Sequence, residues 1–146
     1  MKYASVLLLA LGICAATPAL AQSDAPSYEK GTVWDFGQIK TVDGHFDDYM
    51  NWLAGPWQEQ QEALKKAGYI VSYKVLVVAD PRKDEPDIIL ATEYANMAAF
   101  DHSTKDEYQV QTKIWGSLSK ASQEQAARGA IRTIQGGMLT REAILK

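Results

Sequence analysis

The sequence is poor in the residues that most metal and redox sites use, with one cysteine and two histidines among 146 residues. A single cysteine excludes an intrachain disulfide and a zinc site built on several thiolates. Acidic residues outnumber basic ones 18 to 15, so no basic surplus exists to neutralise phosphates, and no nucleic-acid partner is expected. The sequence also has no phosphate-binding glycine loop and no nucleophile elbow. We therefore predict no cofactor and no metal.

A long apolar run occurs at the N-terminus, where residues 3–16 follow a lysine at position 2. This run is shorter than the roughly 20 residues that a membrane helix requires. Pro18 breaks it, and Ala-Leu-Ala at 19–21 fits the small-x-small pattern that precedes signal-peptide cleavage. We predict a Sec signal peptide over 1–21, cleavage after Ala21, a periplasmic or secreted protein, and no membrane insertion after cleavage.

Two alternatives to cleavage after Ala21 stay open. The apolar run could act as an uncleaved anchor, or Leu-Gly-Ile-Cys at 11–14 could direct acylation of Cys14. Lipoprotein signals normally have a small residue before that cysteine, where this chain has Ile13. Cleavage after Ala21 would remove Cys14 and leave a mature chain without cysteine, which suits an oxidising compartment.

The remainder of the chain predicts a polar, flexible leader over 22–31 and one folded domain over 32–146. Alternating and β-branched residues predict strands, and apolar residues at helical spacing predict helices. The predicted strands are 32–41, 69–79, 87–95 and 130–145, and the predicted helices lie within 46–66 and 96–118.

Local signals within these elements give finer expectations. Thr41 or Asp43 is expected to cap the first helix, and Asn96 the second. Pro56 is expected to kink the first helix or to divide it into two abutting helices. The second helical segment is expected to be interrupted near 103–104, and the glycines at 136–137 predict a bulge in the last strand.

The element order βαββαβ predicts an α+β, ferredoxin-like fold. Right-handed crossovers would place both helices on one face of an antiparallel four-stranded sheet. A symmetric hairpin around residues 81–86 would align Lys74 with Glu93, either as a cross-strand ion pair or as part of a ligand cavity. Both faces of that hairpin are largely apolar, and the face without helices would need a second copy of the chain to cover it.

The chain resembles the dimeric α/β-barrel proteins, in which two ferredoxin-like protomers close a barrel. The resemblance rests on this order and on VWD at 33–35, GHFDDY at 44–49, GYIVSY at 68–73 and EYANMAAFD at 93–101, which are similar to uncharacterised secreted bacterial members. It implies a homodimer. Because the superfamily includes cofactor-free monooxygenases, haem-degrading proteins, lyases, isomerases and stress-induced proteins, it does not specify a reaction.

Residues that could line a ligand cavity are Trp34, Ser72, Lys74, Glu93 and His102. Two functions follow from them: a homodimer that binds a small apolar molecule in the barrel, or a cofactor-independent monooxygenase or isomerase. The enzyme would use Lys74, Glu93 or His102 as acid or base, although the sequence assigns no catalytic residue. A haem-degrading variant would combine His102 with Trp115 and Gln38.

Overall fold

A computed structural model describes residues 25–146, which form four strands and a layer of helices. The predicted signal peptide over 1–21 and residues 22–24 lie outside the described residues. Within 25–146, no helix combines the length and the apolar character needed to cross a membrane.

The elements occur in the predicted order, with each helical region made of several segments. The strands are β1 (Tyr28–Thr41), β2 (Ser72–Val77), β3 (Ile88–Tyr94) and β4 (Arg132–Leu145). The helical segments are α1 (Phe46–Trp52), a π-helical turn (Leu53–Trp57), α2 (Gln58–Lys66), a 3₁₀ turn (Met97–Phe100), α3 (Thr104–Trp115) and α4 (Leu118–Arg128). The strands form one antiparallel sheet in the order β2-β3-β1-β4. This arrangement confirms the α+β, ferredoxin-like prediction.

The first strand begins at Tyr28, four residues before the predicted start. Tyr28 pairs with Leu145 and Glu29 with Ile144, because β4 continues far enough to supply hydrogen-bond partners for the earlier residues. The predicted leader over 22–31 is therefore too long at its C-terminal end, since residues 28–31 belong to the sheet. A bulge between Lys30 and Val33 separates this extension from the rest of β1.

The first helical region is continuous across Pro56 and does not divide into two helices. The π-helical turn contains the proline, and wider turns of this kind accommodate an interrupted hydrogen-bond ladder. The predicted cap is wrong: His45, not Thr41 or Asp43, occupies the N-cap position, and its Nδ1 lies 2.8 Å from Asp48 Oδ2. Gly44 adopts φ +82°, a left-handed conformation that glycine tolerates, and so turns the chain immediately before the helix, which begins at Phe46.

The second helical region has the expected interruption and one that was not predicted, and it continues through α4 to Arg128, beyond the predicted end at residue 118. Asn96 caps the 3₁₀ turn by accepting from Ala98 N, as expected, and Ser103 caps α3. Gly116 then ends α3 in the left-handed conformation, and Ser117 caps α4. This glycine–serine break turns the chain, so α3 and α4 are two separate helices.

The hairpin of β2 and β3 is shifted by two residues from the predicted register. Ser72 lies opposite Glu93, and Lys74 lies opposite Ala91, so the predicted pairing of Lys74 with Glu93 is wrong. The start of β3 is fixed by Asp87, whose backbone N–H donates to Ile39 of β1 and whose carbonyl accepts from Val78. A shift of two residues keeps every side chain on its face, so the predicted face assignment is unaffected.

The bulge predicted at 136–137 lies at the neighbouring position. Gln38 pairs with Gly136 and Ile39 with Ile134, which leaves Gln135 without a partner in β1.

The hydrophobic core lies between the helices and one face of the sheet. Its buried residues are Ile39, Tyr49, Leu53, Trp57 and Ile88, with Tyr73, Val75 and Leu90 packed against them.

Asp87 joins the hairpin to the end of β1 through a charged hydrogen-bond cluster. Its carboxylate accepts from Lys40 Nζ at 2.7 Å, from Thr41 N at 2.8 Å and from Thr41 Oγ1 at 2.5 Å. Partial burial by itself would raise the pKa of Asp87, but these hydrogen bonds outweigh it and hold the pKa below its usual value.

We expect Asp87→Ala to lower the free energy of unfolding at pH 7 by about 1.5–3 kcal/mol, the usual worth of hydrogen bonds to a charged group. Because the folded pKa is lowered, this contribution is present above the ordinary pKa of an aspartate and is lost as pH falls through the folded value. Urea unfolding at several pH values measures both effects. Asp84→Ala, in the same loop, is the control. A difference from the wild type that is as large at about pH 2 as at pH 7 would contradict this account.

Candidate functional site

Among residues 25–146, all helices that pack on the sheet lie on one face, and four of the five predicted cavity residues lie on the other. We call it the helix-free face; its side chains alternate with those that point to the core. It includes Trp34, Phe36, Gln38, Ser72, Lys74, Leu76, Ile89, Glu93 and Met138. Leu76 is 43% exposed and Met138 50% exposed in the single chain. An apolar surface therefore remains uncovered on this face.

The predicted cavity residues on this face contact one another in pairs. Trp34 lies between Glu93 and Thr140 in the sheet, and the Lys74 ammonium lies 5.1 Å from the centroid of its ring. Ser72 Oγ donates to Glu93 Oε2 at 2.5 Å. Lys74 is thus placed against an aromatic ring and Glu93 against a hydroxyl, so the two charges have separate partners.

His102 lies apart from the other four predicted residues. It precedes α3, it is exposed, and its ring packs edge-on against Tyr69 at a centroid distance of 6.3 Å. Within residues 25–146, no hydrogen bond or ring contact connects it to Trp34, Ser72 or Lys74.

The residues of the haem-degrading variant are not brought together. Trp115 lines a cleft on the helix side of the sheet. Gly37 and Ile39, the two residues that flank Gln38 in β1, line the same cleft. Gln38 alternates with them and points to the helix-free face. The sheet therefore separates Gln38 from Trp115, and no step through a haem is supported. In the part of the chain that the structure describes, no three histidine, cysteine or acidic side chains converge as metal ligands.

The cleft on the helix side has a volume of about 580 Å³ and lies between the sheet, the first helical region and α3–α4. Its apolar floor comes from the sheet, and its aromatic and polar walls come from the helices. The lining residues are Gly37, Ile39, Tyr49, Trp52, Trp57, Gln60, Leu90, Gln111, Trp115, Leu118, Ala121, Ser122, Gln125, Arg128, Arg132 and Ile134. A volume of this size is ordinary for a small-molecule site.

Two arginines are buried in the wall of this cleft. Arg128, at the end of α4, is 7% exposed, and Arg132, the first residue of β4, is 8% exposed. The Arg128 guanidinium lies 4.3 Å from the ring centroid of Trp52 and 5.6 Å from that of Trp115. Arg132 lies 5.7 Å from the ring centroid of Tyr49. Each positive charge is therefore covered by aromatic rings.

Neither guanidinium forms a salt bridge with a carboxylate among the described residues, although the charge of Glu124, on the same helix, acts on Arg128 and opposes the lowering of its pKa. Arg128 Nη2 donates to Gln125 Oε1 at 3.1 Å, but Nε and Nη1 of Arg128 and Nε of Arg132 are buried without a hydrogen-bond acceptor. Burial, followed by the nearby charge of Arg132, lowers the pKa of Arg128. A buried charge without a directly paired counter-ion is costly, and stacking on aromatic rings returns only about 2 kcal/mol. Both arginines line the cleft, so their positive charge lies in its wall.

Sequence patterns do not single out these arginines, although one signal exists. Arg132 alternates with Ile134 in the last strand and so lies on the core face, where an arginine is unusual. Arg128 has the ordinary place of a basic residue in the last turn of a helix, so its burial depends on the unpredicted turn between α3 and α4.

A second group of perturbed residues lies further along the helix side of the sheet. Burial raises the pKa of Asp35, and burial together with the charge of Asp35 raises the pKa of Tyr94. No role was predicted for either residue from the sequence.

Comparison with known proteins rests on structure alone, since no family model and no curated protein matches the sequence. The structure of HapK from Hahella chejuensis is similar with a TM-score of 0.52 and 12% identity, over 75% of this chain and 91% of that one. Protein SO0527 from Shewanella oneidensis gives 0.50 and 11% identity, over 80% of this chain and 96% of that one. The chain has the ferredoxin-like fold. At such identities the ferredoxin-like fold is shared, while residues and activity are not carried over.

Proposed function

We propose that the mature protein is a periplasmic or secreted homodimer that binds a small apolar molecule between its two sheets. The observation that carries this proposal is the helix-free face, which is partly apolar and on which Leu76 and Met138 remain exposed in the described part of the chain. A twofold partner would lay the same face against it and close a barrel.

The composition of the helix-free face supports a cavity lined mainly by apolar groups. Trp34 and Phe36 stack at a centroid distance of 6.1 Å near its centre, and Leu76 and Met138 lie on the strands at its two sides. Lys74, Ser72 and Glu93 add a few polar groups among them. An apolar surface with a small number of placed polar groups is typical of small-molecule sites.

The alternative, a cofactor-independent monooxygenase or isomerase, has less support. Such an enzyme needs an acid or base free to exchange a proton with its substrate. Glu93 is engaged by Ser72, Lys74 lies over Trp34, and His102 is located elsewhere. The geometry therefore favours binding over catalysis.

Native mass spectrometry of the mature protein, purified from its own host, tests the proposal in one measurement. We expect a dimer whose subunit mass corresponds to a chain that begins at Gln22, with a retained small molecule as an additional mass. A monomer at micromolar concentration would contradict the dimer, and an intact N-terminus would contradict export by cleavage. A dimer that carries no additional mass and releases no small molecule on denaturation would contradict the binding role.

A further inference from the structure

We propose that the cleft on the helix side of each protomer binds a small organic carboxylate with a planar apolar body. The carboxylate would lie against Arg128 and Arg132, and the apolar body would extend over the floor of the cleft. This site is on the opposite side of the sheet from the helix-free face, so it does not depend on the proposed dimer or on its ligand.

The charge of the ligand follows from the two guanidinium groups. Both are more than nine-tenths buried, both line the cleft, and three of their nitrogen atoms have no acceptor within the described residues. Guanidinium groups match the geometry of a carboxylate, which accepts two parallel hydrogen bonds from one arginine. An anion in the cleft beside Arg128 and Arg132 would place negative charge next to both guanidinium groups and offset their mutual repulsion.

The shape of the ligand follows from the other walls. Trp52 and Tyr49 stack on each other at 5.6 Å and lie against the arginines, so flat surfaces border the charged end of the cleft. Ile39 and Leu90 supply an apolar floor. A free phosphate would satisfy the arginines but would leave this apolar surface in water, whereas a flat organic body would cover it.

Isothermal titration calorimetry of the mature protein with 2-naphthoate tests this inference. We expect 2-naphthoate to bind with a dissociation constant below about 1 mM, and the uncharged 2-naphthamide and inorganic phosphate to bind at least about tenfold more weakly. Phosphate that binds as tightly as naphthoate would show that the site takes a bare anion, and would overturn the proposed class. Absence of naphthoate binding, or equal binding of the amide, would overturn the site itself.

Variants of the arginines locate the binding. Arg128→Met and Arg132→Met are each expected to weaken naphthoate binding at least about tenfold, while Arg141→Met, on the exposed part of β4, leaves it unchanged. Because an apolar side chain removes a buried charge, neither methionine variant should melt at a lower temperature than the wild type. Folded variants with wild-type affinity would contradict the inference.

A lysine variant keeps the test decisive if a methionine variant does not fold. Arg128→Lys retains the charge but loses the planar fork, so it should bind naphthoate more weakly than the wild type and still more tightly than it binds naphthamide. Equal affinity of Arg128→Lys and the wild type would show that this guanidinium does not hold the carboxylate.

Discussion

Leu76→Glu is expected to convert the protein from a dimer to a monomer at micromolar concentration. Leu76 is 43% exposed on the helix-free face of β2, which in the proposed dimer lies against the second copy. The twofold interface would then bury two carboxylates without partners, one from each copy. Since an uncompensated buried charge costs about 3–5 kcal/mol, the dissociation constant should rise at least about a hundredfold. Sedimentation velocity over a range of concentrations measures it.

Val77→Glu is the matched control for this prediction. Val77 follows Leu76 in the same edge strand and is 53% exposed, but it points to the other face of the sheet. It should remain dimeric. If both variants dissociate equally, the cause is the edge strand itself and not the helix-free face; if Leu76→Glu remains a dimer, the proposed interface is wrong.

Trp57→Ala is expected to lower the free energy of unfolding by about 3–5 kcal/mol, the usual cost of removing a large aromatic side chain from a core. Trp57 is 7% exposed and meets Tyr73 of β2 edge-to-face at a centroid distance of 5.4 Å. It therefore connects the π-helical turn to the edge of the sheet. Chemical unfolding, monitored by circular dichroism, measures the effect.

Lys65→Ala is the control, since this residue is exposed near the end of α2 and should change the unfolding free energy by less than about 0.5 kcal/mol. All variants are compared at one protein concentration, because the stability of a dimer depends on it. A loss below about 1 kcal/mol for Trp57→Ala would show that this tryptophan does not connect the helix to the sheet.

Much of the fold could be predicted because its signals are local and regular. The alternation in β2 and β3 placed Tyr73, Val75 and Leu90 on the core face correctly, and the spacing of Tyr49, Leu53 and Trp57 defined the buried side of the first helix. The fold class followed from the order of elements, and the placement of the helices on one face of the sheet from the handedness of crossovers. These features do not depend on the details of loops.

Register and boundaries could not be predicted, because they depend on contacts between distant residues. The shift of Lys74 away from Glu93 follows from the attachment of Asp87 to the end of β1, across a sequence separation of more than forty residues. The early start of β1 at Tyr28 follows from the length of β4. Neither contact leaves a periodic pattern in the sequence.

The two candidate sites also differ in how far the sequence could predict them. Ser72, Lys74 and Glu93 could be placed on one face, because alternation along the two strands of a hairpin is enough to do so. Trp34 joins them through the pairing of β1 with β3, which sets it opposite Glu93. Arg128 could not be placed in the cleft, since its burial depends on how α4 packs after the turn at Gly116. Helix packing of this kind is a tertiary property.

Thiol labelling of two adjacent single-cysteine variants tests most directly whether a second copy covers the helix-free face. In a protein produced from Gln22 onward, which contains no cysteine, Met138→Cys and Leu139→Cys introduce one thiol each on opposite faces of β4. Met138 and Leu139 are similarly exposed in the single chain, at 50% and 47%. A bulky maleimide should modify the thiol at 138 at least about tenfold more slowly than the thiol at 139 in the assembled protein, and at a similar rate after addition of denaturant. Equal rates in the native protein would contradict the covered face and the homodimer built on it.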